Sequence, residues 1–298
     1  MKTPSLTFLA CGLAALHTAA IEPNQQEIDL ANLIVNDWRQ QREEMVYHPL
    51  LNMVARARAL DMGRRDYYPY VDHLDPDGYG PNKSVQLAGY CLPAHWGEEI
   101  GTNYIESIDA SRDTAAKVFT SLSSSGSHRP HLFGTDTYGF FRQQTRYGVG
   151  YANVPGSQWT HYWVFLSAPP NENGTETLEP YAEWLYEHYQ TPMQIDTTDD
   201  NHDPDRDGIP RIMEFVFDFN PWQFESRPFP QLNRALARLE CTYPIRPDLG
   251  TLQIAVKRSA DLIDWTEDGV SRQGNTFSVD VGTSPGYIRF ECITPIQP

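Results

Sequence analysis

Apolar residues recur at helical spacing along the first part of the chain and later switch to alternation. Over residues 25–47, Ile28, Ala31, Ile34, Val35, Trp38 and Met45 fall close to one helical face, with charge on the other. A second helix is predicted to open at Pro49, where a fixed φ and a missing N–H suit the first turn. It runs through Leu51, Val54, Ala55, Ala59 and Met62. Residues 66–105 lose the period and are rich in Gly, Pro, Asp and Tyr; such long irregular stretches inside a domain are usually functional. A third helix is predicted from about Ser111, an N-cap candidate with Asp113 in the first turn, through Ala115, Val118, Phe119 and Leu122. Residues 147–154 and 161–168 then read as strands, and Pro155-Gly156-Ser157 between them predicts an antiparallel pair.

Composition shifts after residue 168. Pro169 to Gly174 reads as a linker, 180–189 as a short helix leading into an acid-rich segment, and the run after Asn220-Pro221 as a second linker. Strand-like runs follow at 237–243, 252–258, 276–281 and 287–293. The predicted class is α+β: a layered domain over 25–170, a helix–loop–helix segment over 178–221 and a small β domain over 225–298. With 298 residues, 40% of them hydrophobic, a sizeable core is available.

The N-terminus changes the setting. Residues 1–20 carry one charge, Lys2, then an apolar run too short to span a bilayer and the small pair Ala19-Ala20. That pattern predicts a cleaved signal peptide and a secreted, extracellular protein of bacterial type, with lipidation at Cys11 as the alternative. No later segment reads as transmembrane. Removal of residues 1–20 leaves 22 basic against 39 acidic residues, a net charge of −17, which excludes nucleic acid and anionic membrane surfaces as partners. Of the remaining cysteines, Cys241 and Cys292 lie in strand-like runs, and an oxidising compartment predicts that they pair and leave Cys91 as a thiol.

Part of the acidity has a defined use. Residues 203–214 match the EF-hand loop at each defining position: Asp203, Asp205 and Asp207 at positions 1, 3 and 5, Gly208 at the turn, the Ile209 carbonyl at 7 and Glu214 at 12. Without a cation the three aspartates would repel one another, so calcium is expected. Pro210 cannot donate the backbone bond that joins paired EF-hands. The loop resembles the lone, thrombospondin type 3-like calcium loops of bacterial extracellular proteins, which implies a structural ion.

A second set of candidates is His73, Glu106 and His128. Imidazole and carboxylate together ligate zinc-like metals and also serve as general acids and bases. Spacing alone leaves open whether the three meet or each only satisfies local bonds. Their settings resemble the CAP superfamily of cysteine-rich secretory and pathogenesis-related proteins, in its bacterial SCP-like form. The F-S-H-x-x-P-D-G motif of such proteins is matched by Val71-Asp72-His73-Leu74-Asp75-Pro76-Asp77-Gly78, and G-E-N-I by Ile105-Glu106-Ser107-Ile108. Their S-P-x-H-R-x-x-L-L is matched by Gly126-Ser127-His128-Arg129-Pro130-His131-Leu132-Phe133. The closing I-G-V-G-Y and Y-W-V are matched by 147–151 and 162–164. The resemblance implies a CAP-type α-β-α sandwich whose cleft is lined by His73, Glu106 and His128, with a fourth, acidic position vacant because no acid lies between Thr114 and Thr135. Gly97-Glu98 is a less well spaced alternative to Glu106, and His131 a further imidazole near the cleft.

Three functions follow. The favoured one is a secreted binding module, not an enzyme, whose cleft takes a divalent metal, with zinc on His73 and His128, or a small apolar ligand. The alternative is a metal-assisted hydrolase with Glu106 as base; against it, the chain has no H-E-x-x-H run and no nucleophile elbow. The third is a surface protein whose C-terminal β domain, similar to a module of large secreted bacterial proteins, binds a cell-envelope component.

Overall fold

Asn24 starts the first helix through a capping box: its Oδ1 accepts from Glu27 N at 3.1 Å, and its own N–H donates to Glu27 Oε2 at 2.9 Å. In the computed structural model this helix, α1, spans Gln25–Val35. Described are residues 22–96, 100–172, 174, 178–189, 201–224, 231–233, 238–280 and 286–293. The predicted signal segment with Cys11, the Gly97-Glu98 pair and most of the second linker lie outside them. By contacts the chain forms two units, residues 1–86 with 90–177, and 87–89 with 178–298.

In the first unit, α1 ends sooner than its apolar spacing predicts. Leu30, Ala31 and Ile34 enter the core, while Trp38 lies past the C-cap Asn36 and is 89% exposed. Helix α2 (Pro49–Arg64) starts at the proline as expected, and Leu51, Val54, Ala55, Ala59 and Met62 are all buried. A short α3 (Pro81–Leu87) interrupts the stretch read as irregular. Helix α4 (Ala115–Ser124) is capped at Thr114; Ser111, expected at the cap, instead takes φ 73°. Then comes α5 (His128–Phe133).

Four strands form one sheet in the order β1-β3-β4-β2: β1 (Val46–Tyr47), β2 (Glu106–Ala110), β3 (Arg146–Asn153) and β4 (His161–Ala168). The pair β3 and β4 is antiparallel as predicted, β2 runs antiparallel to β4, and β1 pairs in parallel with β3. Alternation along β3 separates two helical layers. Tyr147, Val149 and Tyr151 join a core with Leu30, Ile34, Val118, Leu122 and Phe133 from α1, α4 and α5. Gly148 and Gly150 point the other way, to α2. A Cβ on Gly148 would stand 2.2 Å from Asn52 N, and one on Gly150 2.1 Å from the Ala55 carbonyl carbon. Two glycines two residues apart thus let the α2 backbone lie directly on the sheet.

In the second unit, α6 (Pro180–His188) and α7 (Arg211–Phe217) precede two sheets. One has the order β5-β6-β9-β8, from β5 (Gln231–Asn233), β6 (Arg238–Thr242), β8 (Val270–Gln273) and β9 (Thr276–Asp280). The other pairs β7 (Gln253–Ser259) with β10 (Tyr287–Ile293). Cys241 and Phe277 from the first sheet meet Val256, Ile288 and Phe290 from the second in one small core. The predicted disulfide is absent: Cys241 stands opposite Phe277 and Cys292 opposite Ile254, in different sheets, and no disulfide joins them. Burial among apolar side chains pushes the Cys241 thiol up to about 11, so it packs as a small hydrophobe. Among the described residues no helix is long and apolar enough to cross a membrane.

Replacing Gly150 by Ala should destabilise the first unit by about 3 kcal/mol or more, at or above the usual cost of overpacking, because the clash is with backbone that cannot turn aside. The urea midpoint measures this; a loss under about 1 kcal/mol would mean that α2 can lift off the sheet.

Candidate functional site

Glu106 opens β2, the edge strand, opposite Leu166 of β4. The side chain is buried, with the whole residue 5% exposed. Burial pushes the carboxyl pKa up, but Arg58 beside it and the bond from His73 outweigh that and hold it below the usual range. Arg58, from α2, places Nε 3.4 Å from Oε2, and His73 Nδ1 lies 2.9 Å from Oε1. Glu106 is therefore an ionised carboxylate with a partner on each oxygen.

Arg58 ties the rest together. Its Nη2 donates to the His73 carbonyl at 2.7 Å and its Nη1 to Tyr67 Oη at 2.7 Å. Tyr67 in turn donates to Asp61 at 2.6 Å, and Arg65 forks onto the same aspartate at 2.7 and 2.6 Å. His73 has φ 58°, a left-handed backbone unusual for histidine, and the bond to its carbonyl helps hold that turn. With Nδ1 against an ionised carboxylate, a proton on that nitrogen faces Glu106 and leaves Nε2 on the other side of the ring.

His128 is the first residue of α5. Burial, and then the charge of His73, push its pKa down, so the two imidazoles are close enough to interact. The other end of α5 is fixed by Arg42, which donates to the carbonyls of His131 at 2.6 Å, Leu132 at 2.9 Å and Phe141 at 2.9 Å. Burial brings the Arg42 pKa down to about 10. These contacts satisfy carbonyls that a helix end leaves open.

The third imidazole is structural. His131 Nδ1 lies 2.7 Å from Ser107 Oγ and Nε2 2.9 Å from Ser167 Oγ. Ser167 spends its proton on Gln144 Oε1 at 2.7 Å, so it accepts from Nε2–H, and Nδ1 accepts from Ser107. Because β2 alternates, Glu106 faces α2 while Ser107 faces α5. One strand thereby anchors both the candidate residues and the support beneath them.

The expected trio is only partly assembled. His73 and Glu106 touch, and His128 is near, but zinc does not fit the arrangement. Among the described residues the one group of three His, Cys, Asp or Glu ligand atoms within 4.8 Å of one another is Asp203, Asp205 and Asp207. At Glu106 the cation is already supplied by Arg58. Two shallow grooves are present: one of 520 Å³ along α4, with Arg112 and Lys117, and one of 460 Å³ that borders the His73 loop, lined by Tyr67, Tyr68, Tyr70, Asp72 and Leu74. Arg58 and Arg42 were missed in the sequence because a charged residue in a helical period reads as solvated. The one available signal was Ala57-Arg58-Ala59, an arginine between two small apolar residues.

The acidic loop fits calcium. Gly208 N donates to Asp203 Oδ2 at 2.8 Å, Asp207 N to Asp205 Oδ1 at 3.1 Å and Ile209 N to Asp207 Oδ1 at 2.6 Å. Asp203 Oδ1 and Asp205 Oδ2 are buried atoms that accept no hydrogen bond. Burial, with the charges of Asp207 and Asp203, raises the Asp205 pKa. Gly208 takes φ 82°, and Glu214 is buried on α7. A divalent ion among these oxygens would relieve the repulsion. The sequence has N-x-[ST] sequons at Asn82 and Asn173; Asn82 is sealed, being buried, donating to Trp96 O at 2.7 Å and accepting from Tyr104 N at 2.9 Å, and Asn173 lies outside the described residues.

Comparison with known proteins adds little. No family model matches the chain, and no curated protein does. Among solved structures the chain is similar to an outer surface protein from Borrelia burgdorferi, at 14% identity over 48% of this chain and 90% of that one, with a TM-score of 0.34. A superposition that loose fixes neither family nor function.

His131 generates a pH dependence. Burial first, then Arg42, His128 and His73, keep its pKa well below the ordinary histidine value. A depressed pKa means that the unfolded chain binds the proton first, so stability is full above about pH 6.5 and is lost as pH falls below it. The urea midpoint should drop between pH 7.5 and 5, and less steeply in His131→Gln. Parallel pH profiles for the two proteins would count against a neutral buried His131.

Proposed function

We propose that this chain is an exported, CAP-like binding module whose site at His73, Glu106 and His128 takes a small organic ligand, and whose second unit is braced by calcium at Asp203, Asp205, Asp207, the Ile209 carbonyl and Glu214. The observation that carries the cleft reading is the double engagement of Glu106. A carboxylate held by His73 at 2.9 Å and by Arg58 at 3.4 Å, with a lowered pKa, is a poor general base. It is well placed to orient an imidazole for recognition. Export rests on the pattern of residues 1–20 and on the acidity of the rest of the chain.

This reading ranks binding above hydrolysis. Assays with p-nitrophenyl acetate and casein should show equal background rates for the wild type and Glu106→Gln, and turnover that depends on Glu106 would restore the hydrolase. Binding is read from the His73 and His128 ring resonances as an organic extract of spent culture medium is added. Shifts in the wild type that vanish in His73→Ala support the module; silent resonances reject it.

Calcium has a separate test. Affinity on the order of 10⁻⁴ M, as in extracellular modules, implies about 2.7 kcal/mol of stabilisation near 10 mM calcium. Thermal unfolding should shift upward with calcium in the wild type and stay put in Asp205→Asn/Asp207→Asn. Equal melting with calcium and with chelator would remove the ion from the account.

A further inference from the structure

The cation that a His/Glu site ordinarily recruits from solution is here part of the chain. Arg58 is 2% exposed, and its three nitrogens address three groups of the site: Nε faces Glu106 Oε2 at 3.4 Å, Nη2 bonds the His73 carbonyl at 2.7 Å and Nη1 bonds Tyr67 Oη at 2.7 Å. The guanidinium is held from behind by Tyr67, whose hydroxyl donates to Asp61. We infer that Arg58 is the specificity-determining residue of this site, a resident cation that holds Glu106 and the His73 turn in place and thereby excludes zinc and similar divalent metals.

Three physical arguments lead there. A divalent ion ligated by Glu106 would sit within a few ångströms of a fixed guanidinium, and two like charges at that distance in a dry setting repel strongly. Arginine keeps its charge at every accessible pH, so loss of a proton does not relieve that repulsion. Finally, Glu106 is committed to His73 Nδ1 at 2.9 Å, so a metal would have to rely on His73 Nε2 and His128, with no carboxylate ligand to offset its charge beside the guanidinium. The inference rests on the reading that His73, Glu106 and His128 form the ligand-facing site, but not on which organic ligand that site takes.

The test is zinc titration of the full chain, stripped with chelator and then saturated with calcium so that the aspartate loop is filled. Heat of binding and the visible spectrum of cobalt as a substitute are both recorded. The wild type should bind no zinc that is lost in His73→Ala. Arg58→Met should gain a zinc site at least tenfold tighter than any in the wild type, abolished by adding His73→Ala, while Arg58→Lys, which keeps the charge, should gain none. A wild-type site with a Kd of about 10 μM or tighter that disappears in His73→Ala overturns the inference, as does a folded Arg58→Met with no new site. If Arg58→Met does not fold, the wild type and Arg58→Lys decide: zinc bound through His73 in either one overturns it, and none in both supports it. Organic-ligand shifts that fail while zinc is still excluded would reject the binding module and leave the role of Arg58 standing.

Discussion

A guanidinium buried opposite a buried carboxylate is the constraint around which the first unit is arranged. Removing two charges from water costs several kcal/mol each, and only good geometry with further hydrogen bonds recovers it. Arg58 Nε and Glu106 Oε2 stand 3.4 Å apart without a hydrogen bond between them, so the cost is offset by charge attraction and by the bonds each makes elsewhere, Glu106 to His73 and Arg58 to Tyr67 and a backbone carbonyl. Loss of either partner alone would strand the other as an uncompensated charge. The pair thus fixes α2, β2 and the loop carrying His73 relative to one another.

That pair can form only because α2 lies so close to the sheet. Gly148 and Gly150 remove the side chains that would otherwise hold the helix away, since a Cβ at either would fall within 2.2 Å of the α2 backbone. With the helix seated, Arg58 reaches the edge strand. On the opposite face Arg42, also buried, bonds the end of α5, and His131 stitches β2 to β4 through two serines. Both faces of the sheet therefore converge on β2, with a polar network behind each candidate side chain.

The second unit is built on other terms. Its two sheets share a small core around Cys241, Val256 and Phe277, and no disulfide among the described residues reinforces it. A cluster of carboxylates that repel one another opens α7, the helix whose seven residues are all buried. An ion at the loop would act on that helix directly.

What was legible in the sequence was local and periodic. The bounds of β4 and β10, the start of α2 at Pro49 and the clustering of Asp203, Asp205 and Asp207 all follow from alternation, proline geometry or a short motif. Tertiary structure decided the rest. Glu-Ser-Ile-Asp-Ala shows no apolar alternation, and β2 exists because β4 offers it a partner. Ser111 reads as a cap, yet the chain turns there and Thr114 takes that place. Cys241 and Cys292 look paired in the chain, but no disulfide joins them, and Cys241 packs in the core between the two sheets. His73, Glu106 and His128 could be named from motifs; Arg58 could not, because a buried charge is explained only by the partner that neutralises it, and that partner lies far away in sequence.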